Sequence, residues 1–442
     1  MRFPVRGFTL SLALLLAATQ ANAAALTFAE AKETALKNSN VIKSYRADEE
    51  AAGYAKNQAV GSYLPNISLH QTLMKSDEPG TAAFATAKQG RFDNAYFMNQ
   101  MASMASPDTV TTYTTQVQVM QPIFMQGQIY YGIKQADKAY QASRMQTERA
   151  TQFTLYNLHM AFYGLALAEK ALDTANHSYE RTKRYYRNAA DFFNNGLIVK
   201  SDLMVSESYL LMNEQAVKEA EKQHAVAMSN LQRLLDTDEP IKVVWTTPEL
   251  EFSEDISKYT DTGLKNRQDL AAMQKYLDSA ELETKKAKSA LLPSVYLFAD
   301  YQRNDDKFMG DNGDGTTYGI QADLNLFKGF GDYNKISETK SRQIALMHQI
   351  ADKKLEIKSE IKNSYYGVIA ASKQIEASKK RVEAAQTALI ITENRFNEGL
   401  SKVTELLDRE VDLKQAELSL YVSEYQEIVE KAGLHLAAGD LH

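Results

Sequence analysis

Leu36-Lys37-Asn38 followed by Tyr63-Leu64-Pro65 returns as Leu264-Lys265-Asn266 followed by Leu291-Leu292-Pro293. Both phrases recur at one spacing, 264 minus 36 and 293 minus 65, which is 228 residues. Farther along, Phe124, Tyr163-Gly164, Gly196-Leu197, Leu203 and Glu207 return as Phe327, Tyr366-Gly367, Gly399-Leu400, Leu406 and Glu410, now at a spacing of 203 residues (327 minus 124). Two constant offsets mark a duplicated structural unit. Their difference, 228 minus 203, is an insertion of 25 residues in the first copy, which falls around Lys75 to Val110. The chain therefore divides into a first structural repeat over residues 24–239, a linker or equatorial segment over 240–262 with Pro240, Pro248 and the single Trp245, and a second repeat over 263–442.

Each repeat reads in four parts. A helical stretch from about Thr27 to Tyr63 stops at Pro65, because proline lacks an N–H and pushes its predecessor out of the helical region. Strands should follow. Ile67, Leu69 and Leu73 alternate with Ser68, His70 and Thr72, and on the return Val117, Val119 and Ile123 alternate with Gln116 and Gln118, the period-two pattern of a half-apolar strand. In the second repeat Val295, Leu297 and Tyr301 oppose Ser294, Asp300 and Gln302, and a return strand sets Tyr318, Ile320, Ala322, Leu324 and Leu326 against Gln321, Asp323 and Asn325. A carboxylate among carboxamides is costly in a dry core and cheap against water. Strands of this kind suit an outer-membrane barrel, although aqueous sandwiches alternate in the same way. The strand count separates the two: four strands cannot close a barrel, open edges in lipid leave backbone groups unpaired, and three chains supply a permitted twelve.

Long helices complete each repeat. From Gln128 to Ala190 the chain has no proline or turn cluster, which at 1.5 Å per residue predicts a helix of about 95 Å. It should turn at Asn194-Asn195-Gly196, where glycine takes the left-handed conformation that ends helices, and return over Lys200 to Leu235. The second outward run is Tyr333 to Asn394, the turn Asn397-Glu398-Gly399 and the return Val403 to Ala438. Spacings such as Ala377, Ala384, Ala388 and Ile391 fit coiled-coil seams and also an ordinary helical bundle.

Composition agrees with a few long elements in an exported chain. Among 442 residues there are 8 prolines, 20 glycines and no cysteine, so stability must come from packing and assembly. Residues 1–23 read as a signal peptide: Arg2 and Arg6, an apolar stretch from Gly7 to Ala18 too short to span a bilayer, and small residues at Ala21-Asn22-Ala23. The mature chain should start near Ala24. After it no long uncharged apolar segment occurs, which leaves a closed barrel as the only spanning solution. The net charge of −6, with no basic stripe, argues against a nucleic-acid partner. The seven histidines form no H-E-x-x-H pair, no phosphate-cradling loop occurs, and Asp311-Asn312-Gly313-Asp314-Gly315 lacks the spacing of a calcium loop. No catalytic residue, metal or cofactor is predicted. Met98, Met101 and Met104 of the insertion read as packing residues before soft-metal ligands.

Taken in order, Tyr63-Leu64-Pro65, Leu291-Leu292-Pro293, Gln121-Pro122-Ile123-Phe124, and Gly399 followed by Thr404-Glu405-Leu406-Leu407-Asp408 resemble the TolC-type outer-membrane efflux and secretion channels, the outer membrane factors. The likeness covers nearly the whole mature chain and departs at the strand-to-helix junctions, where Gly127 does not register with Gly329 or Gly331. The resemblance implies an α+β membrane protein, a homotrimer whose 12-stranded β-barrel, four strands per chain, lies in the outer-membrane lipid of a Gram-negative cell and continues as a long α-helical coiled-coil barrel in the periplasm. It implies a passive exit duct of a tripartite efflux pump or type I secretion system, coupled through a periplasmic adaptor protein to an inner-membrane transporter. A periplasmic coiled-coil scaffold is the alternative, and it has no need of two matched hairpins.

Carried over by position, the resemblance places a periplasmic aperture at Asp202, Phe396, Glu405 and Asp408, and adaptor contacts at the turns Asn195, Gly196, Leu197 and Glu398, Gly399, Leu400. A basic residue of the family two positions past the glycine is Ser401 here. Each acid also lies near the start of a return helix, where the dipole alone stabilises a carboxylate by about 0.3–1 kcal/mol. The turn residues likewise suit simple turn chemistry.

Overall fold

Pro65 and Pro293 each hand the chain directly to a strand in the computed structural model, which describes residues 26–91, 94, 98, 107–246, 248 and 250–442. The signal peptide, the start near Ala24, Met101 and Met104 lie outside the described residues. Two compact units form: one of the residues up to Ser39, Leu155–Phe252 and Gly367–Ala432, which carries the helix turns, and one of Asn40–Thr154, Ser253–Tyr366 and Gly433–His442, which carries the strands.

In the strand-bearing unit β1 (Asn66–Ser76), β2 (Val110–Met125), β3 (Ser294–Asp305) and β4 (Gly313–Asp323) form one antiparallel sheet in sequence order. Its register puts like with like. Ile67 faces Val119, Val119 faces Ala299, and Ala299 faces Tyr318; Leu69, Val117 and Tyr301 form the next row. Partners directly opposite share a face, so Ile67, Leu69, Leu73, Val117, Val119, Leu297, Tyr318 and Ile320 make one largely apolar surface, while Met120 and Phe298 fall on the other. The other surface carries Ser68, His70, Gln116, Gln118, Asp300, Gln302 and Thr317. Gln116 Nε2 donates to Asp300 Oδ1 at 2.7 Å across the polar face, and Thr114 Oγ1 to Asn304 Oδ1 at 2.9 Å. On the apolar face no described residue covers Ile67, Leu69 or Ile320, which are 69%, 66% and 68% exposed in the single chain.

Two details depart from the sequence reading. β4 ends at Asp323, not Leu326, because its last partner is Ser294 and the preceding Pro293 has no N–H to extend the ladder. Pro122 is accommodated inside β2 because the strand bulges between Pro122 and Phe124, beyond the end of the β1 pairing.

The first helical stretch of each repeat is two helices. α1 (Phe28–Asn38) and α2 (Asn40–Gly61) meet at Ser39, and α3 (Pro79–Lys88) lies in the insertion. After α4 (Gln128–Asn194) and α5 (Lys200–Leu235) come α6 (Ile256–Asn266) and α7 (Gln268–Ser289), which meet at Arg267, 228 residues after Ser39. Both break residues leave the helical region, with ψ 118° and 120°. Neither site has glycine or proline to announce it. α8 (Gly331–Asn397) and α9 (Val403–Ala438) match α4 and α5 in length, at 67 and 36 residues.

The strand-to-helix junctions also repeat, in backbone rather than in sequence. Gln126 and Gly127 have φ of 56° and 70°, and Gly329 and Phe330, 203 residues on, have 58° and 63°. Two successive left-handed residues make each turn, while the glycine occupies the second place in one and the first in the other.

The core of the turn-bearing unit gathers Leu158, Phe162, Tyr163, Leu231, Leu235 and Ile428 around Ala31 and Ala35 of α1. Leu26 bridges Val243, Trp245 stands edge-on to Tyr163 at 6.2 Å, and so the segment between the repeats packs on this core. Gly164 and Gly367, repeat mates inside long helices, sit beneath α9: a Cβ at Gly367 would come within 2.5 Å of the Glu430 carboxylate.

In the strand-bearing unit two arginines close the end of α9. Arg149 Nη1 donates to the carbonyl of Leu436 at 2.7 Å, which also accepts the Gly439 N–H at 3.2 Å, Arg267 Nη1 donates to that of Ala437 at 3.4 Å, and Gln152 Nε2 to that of Gly439 just past the helix at 2.9 Å. Arg267, only 2% exposed, pairs with Asp269 and Glu360. Burial, with the Arg267 charge beside it, brings Arg149 down to about 10. Burial alone would raise the Asp269 carboxyl, but hydrogen bonding and charge from Arg267, then Arg149 and Lys353, bring it down to about 2. A depressed carboxyl stabilises the fold above its unfolded pKa of about 3.9 and loses that contribution as pH falls toward 2, a total on the order of 2 kcal/mol. Asp269→Asn should therefore lower the thermal midpoint at pH 7 and by progressively less between pH 4 and pH 2; a difference independent of pH would show that the ion cluster does not act this way.

Candidate functional site

The two helix turns are built alike. In the first, Gly196 has φ of 73°, its N–H donates to the Phe193 carbonyl at 2.9 Å, and the Leu197 N–H donates to the Phe192 carbonyl at 2.8 Å. In the second, Gly399 has φ of 73°, with Gly399 N–H to Phe396 at 2.9 Å and Leu400 N–H to Arg395 at 2.8 Å. This is the Schellman pattern, in which a left-handed glycine lets the next N–H reach back over a full turn to carbonyls that would otherwise be bare. It leaves Asn195, Gly196, Leu197, Glu398, Gly399 and Leu400 all exposed, the two leucines by 70% and 65%.

Beneath the turns lies an apolar cluster of Tyr185, Ala189, Leu389, Phe396, Val403, Leu406, Leu407 and Leu413. Phe396 is buried there, 5.4 Å from the Phe192 ring. Repeat spacing would have chosen Phe193, the residue 203 before Phe396, as its counterpart. Helix packing brings in its neighbour. A cavity of about 700 Å³ opens between the turns, and Leu197, Asp202, Phe396, Glu398, Gly399 and Leu400 are among its walls. The structure thus brings together six of the ten residues expected at the site. Glu405 and Asp408 stand outside the cavity on α9, exposed, and Asn195 and Gly196 do not line it.

The acids have close partners. Ser401 Oγ donates to Glu405 Oε2 at 2.6 Å across the first turn of α9. The serine thus answers Glu405 through a hydrogen bond where a basic residue would have offered charge. Tyr209 on α5 donates its hydroxyl to Asp408 Oδ1 at 2.7 Å, linking the return helices of the two repeats. That bond, more than the tyrosine's partial burial, raises the Tyr209 pKa. Tyr209 was not legible as a site residue, since its spacing to Asp408 exists only in space.

Further along the same helices, a polar layer interrupts the core. Glu410 is completely buried and accepts from Arg181 Nε at 2.9 and 2.8 Å on its two oxygens. Burial works against the Arg181 charge, but Glu410 outweighs it and holds the guanidinium charged. Beside the pair, Asn213 bonds Thr182 at 2.8 Å and receives Lys414 Nζ at 2.7 Å. Burial lowers the Lys414 pKa, with Glu410 resisting, and raises that of Glu417, with Arg181 resisting. Removing one partner of a buried pair strands the other charge, at a cost of about 3–5 kcal/mol. Glu410→Ala should therefore lower the thermal midpoint strongly and open the turns to protease, and Arg181→Met with Glu410→Leu should recover most of the loss. Equal destabilisation by the single and the double change would remove the pair from this role. Tyr209→Phe, at an exposed bond, should change stability by less than about 1 kcal/mol.

A family model described as outer membrane efflux protein matches residues 31–237 and 261–440. The alkaline protease secretion protein AprF of Pseudomonas aeruginosa is 22% identical over 349 residues, 75% of this chain and 70% of AprF. Among solved structures, the chain is similar to the Campylobacter jejuni CmeC outer membrane channel, with a TM-score of 0.78 at 15% identity over 93% of this chain and 85% of that one. It is likewise similar to the outer membrane protein VceC of Vibrio cholerae, with a TM-score of 0.73 at 17% identity over 93% and 96% of the two chains.

Proposed function

The chain belongs to the outer membrane efflux protein family and is an outer-membrane exit duct for efflux or secretion; on that premise we propose that three copies form the duct. Their twelve strands close one barrel in the membrane, and their long helices line one periplasmic tunnel. A single observation carries this reading: a four-stranded sheet whose register collects a largely apolar face that is uncovered among the described residues, while both of its outer strands, β1 and β4, have an edge that no described strand pairs with. Pairing β4 of one chain with β1 of the next removes every edge, and the polar face then lines a wet lumen. The helices support the same assembly. α8 leaves Ile344, Met347, Leu355, Ile390 and Ile391 exposed, as a seam for a neighbouring copy would.

The unit of function within each chain is a repeat, residues 24–239 and 263–442, with 240–262 between them. At the periplasmic mouth, Asp202, Glu405 and Asp408 supply carboxylates, and Phe396 anchors the packing that holds the turns inward. The exposed Leu197 and Leu400 on their glycine turns offer paired apolar knobs to a periplasmic adaptor, through which an inner-membrane transporter drives export. The scaffold alternative leaves the apolar face of the sheet without a purpose.

Conductance in a planar bilayer, together with mass in detergent, tests the duct: stable channels from a trimer are expected, and a monomer without conductance would sink the proposal. A ring of carboxylates should bind cations, as charged rings in pores do. Asp408→Asn with Glu405→Gln should therefore weaken block by divalent cations, and unchanged block would take the aperture away from these residues.

A further inference from the structure

The insertion in the first repeat, which the duplicated plan does not require, has a defined place in the strand-bearing unit. α3 is started by Glu78, whose carboxylate accepts the N–H groups of Gly80 and Thr81 at 3.3 and 2.6 Å, with Pro79 at its first position. Ala82, Ala85 and Thr86 are its buried residues, and Gln89, just past its end, is completely buried on the same side. That side packs against β2 and β3.

The face of the sheet it covers is the polar one. Gln89 Nε2 donates to Thr111 O at 2.8 Å and to Thr112 Oγ1 at 2.9 Å, and Thr112 lies in the row of Thr114, Gln116 and Gln118. A cavity of about 300 Å³ beside Lys88 and Gly90 is walled on the strand side by Asp300, Gln302, Asn304 and Thr317, all polar-face residues. Backbones meet here without room for side chains. A Cβ on Gly313 would collide with the Lys88 carbonyl, and one on Gly90, whose φ is +68°, would lie 2.9 Å from the Asn312 carbonyl oxygen. Phe84 sits on the opposite side of α3, roughly half a turn from the buried residues at 3.6 residues per turn, and is 73% exposed.

We propose that α3 is a plug helix, held inside the barrel against the lumen face, which narrows the hairpin-loop end of the duct, with Phe84 turned toward the axis as an apolar collar among three copies. This rests on the polar face being the lumen, as proposed above. An apolar constriction resists the entry of water and ions, so the helix would limit leakage from outside.

The chain has no cysteine, so single ones can be read cleanly. In trimers reconstituted with the hairpin loops outward, Gln302→Cys beneath α3 should react with a bulky, impermeant maleimide at least tenfold more slowly than Asp311→Cys in the exposed β3–β4 turn. Adding Gln89→Ala, in trimers shown to survive detergent, should erase most of that difference. Phe84→Cys should be joined between chains by a short bis-maleimide, and failure to join overturns the collar. If the trimer conducts but Gln302→Cys reacts as fast as Asp311→Cys, the plug is wrong and the duct stands. A wild-type chain that neither trimerises nor conducts overturns both.

Discussion

Backbone groups at the edge of a sheet must find partners, and in hydrocarbon no water supplies them. β1 and β4 each run 11 residues, long enough to cross an outer membrane when tilted, and each has a neighbour on one side only. The register removes any escape by folding the sheet over a core of its own. It aligns Ile67, Val119, Ala299 and Tyr318 on one side and Gln118 and Asp300 on the other, so the sheet has an apolar face suited to lipid and a polar face suited to water, and among the described residues no second layer covers the apolar one. Self-assembly is then what makes the strands possible at all, and the exposed apolar residues of α8 belong to the same requirement. The plug proposed for α3 depends on it too, since only a closed barrel has an inside to narrow.

The duplication has kept backbone conformation more faithfully than side chains. Left-handed pairs stand at 126–127 and 329–330, left-handed glycines at 196 and 399, and helix breaks at 39 and 267. Within those shared frames the contents differ. Glu410 is buried in a pair with Arg181, whereas its repeat mate Glu207 is exposed and position 384, the mate of Arg181, is an alanine. Two near-equivalent hairpins with unlike interiors allow the turns to pack on one another through Phe192 and Phe396 without being interchangeable. The Tyr209 bond to Asp408 exists in one sense only, from the first repeat to the second.

Much of the fold was legible because its signals are local or periodic. The bounds of α5 and α9 follow from the turn glycines, the strands follow from alternation after Pro65 and Pro293, and the turns follow from glycine's access to positive φ. The helix breaks at Ser39 and Arg267 were not, since no residue there resists a helix. At Arg267 the conformation is held by a side chain that reaches Asp269, Glu360 and the carbonyl of Ala437, 170 residues away in sequence. The strand-to-helix junctions show no glycine in register because the turn needs two left-handed residues and tolerates glycine at either.

Of the candidate site, the sequence by itself determined the two glycine turns and that Asp202, Glu405 and Asp408 follow them closely, because those depend on spacing along one helix. Only the tertiary structure decided that Phe192 rather than Phe193 meets Phe396, that Tyr209 holds Asp408, and that Arg181 neutralises Glu410. Each of these depends on how one helix is rotated against another. The insertion shows the same division: its length was plain from two offsets, but the face it covers was set by register and by the close backbone contacts at Gly90 and Gly313, which no one-dimensional pattern records.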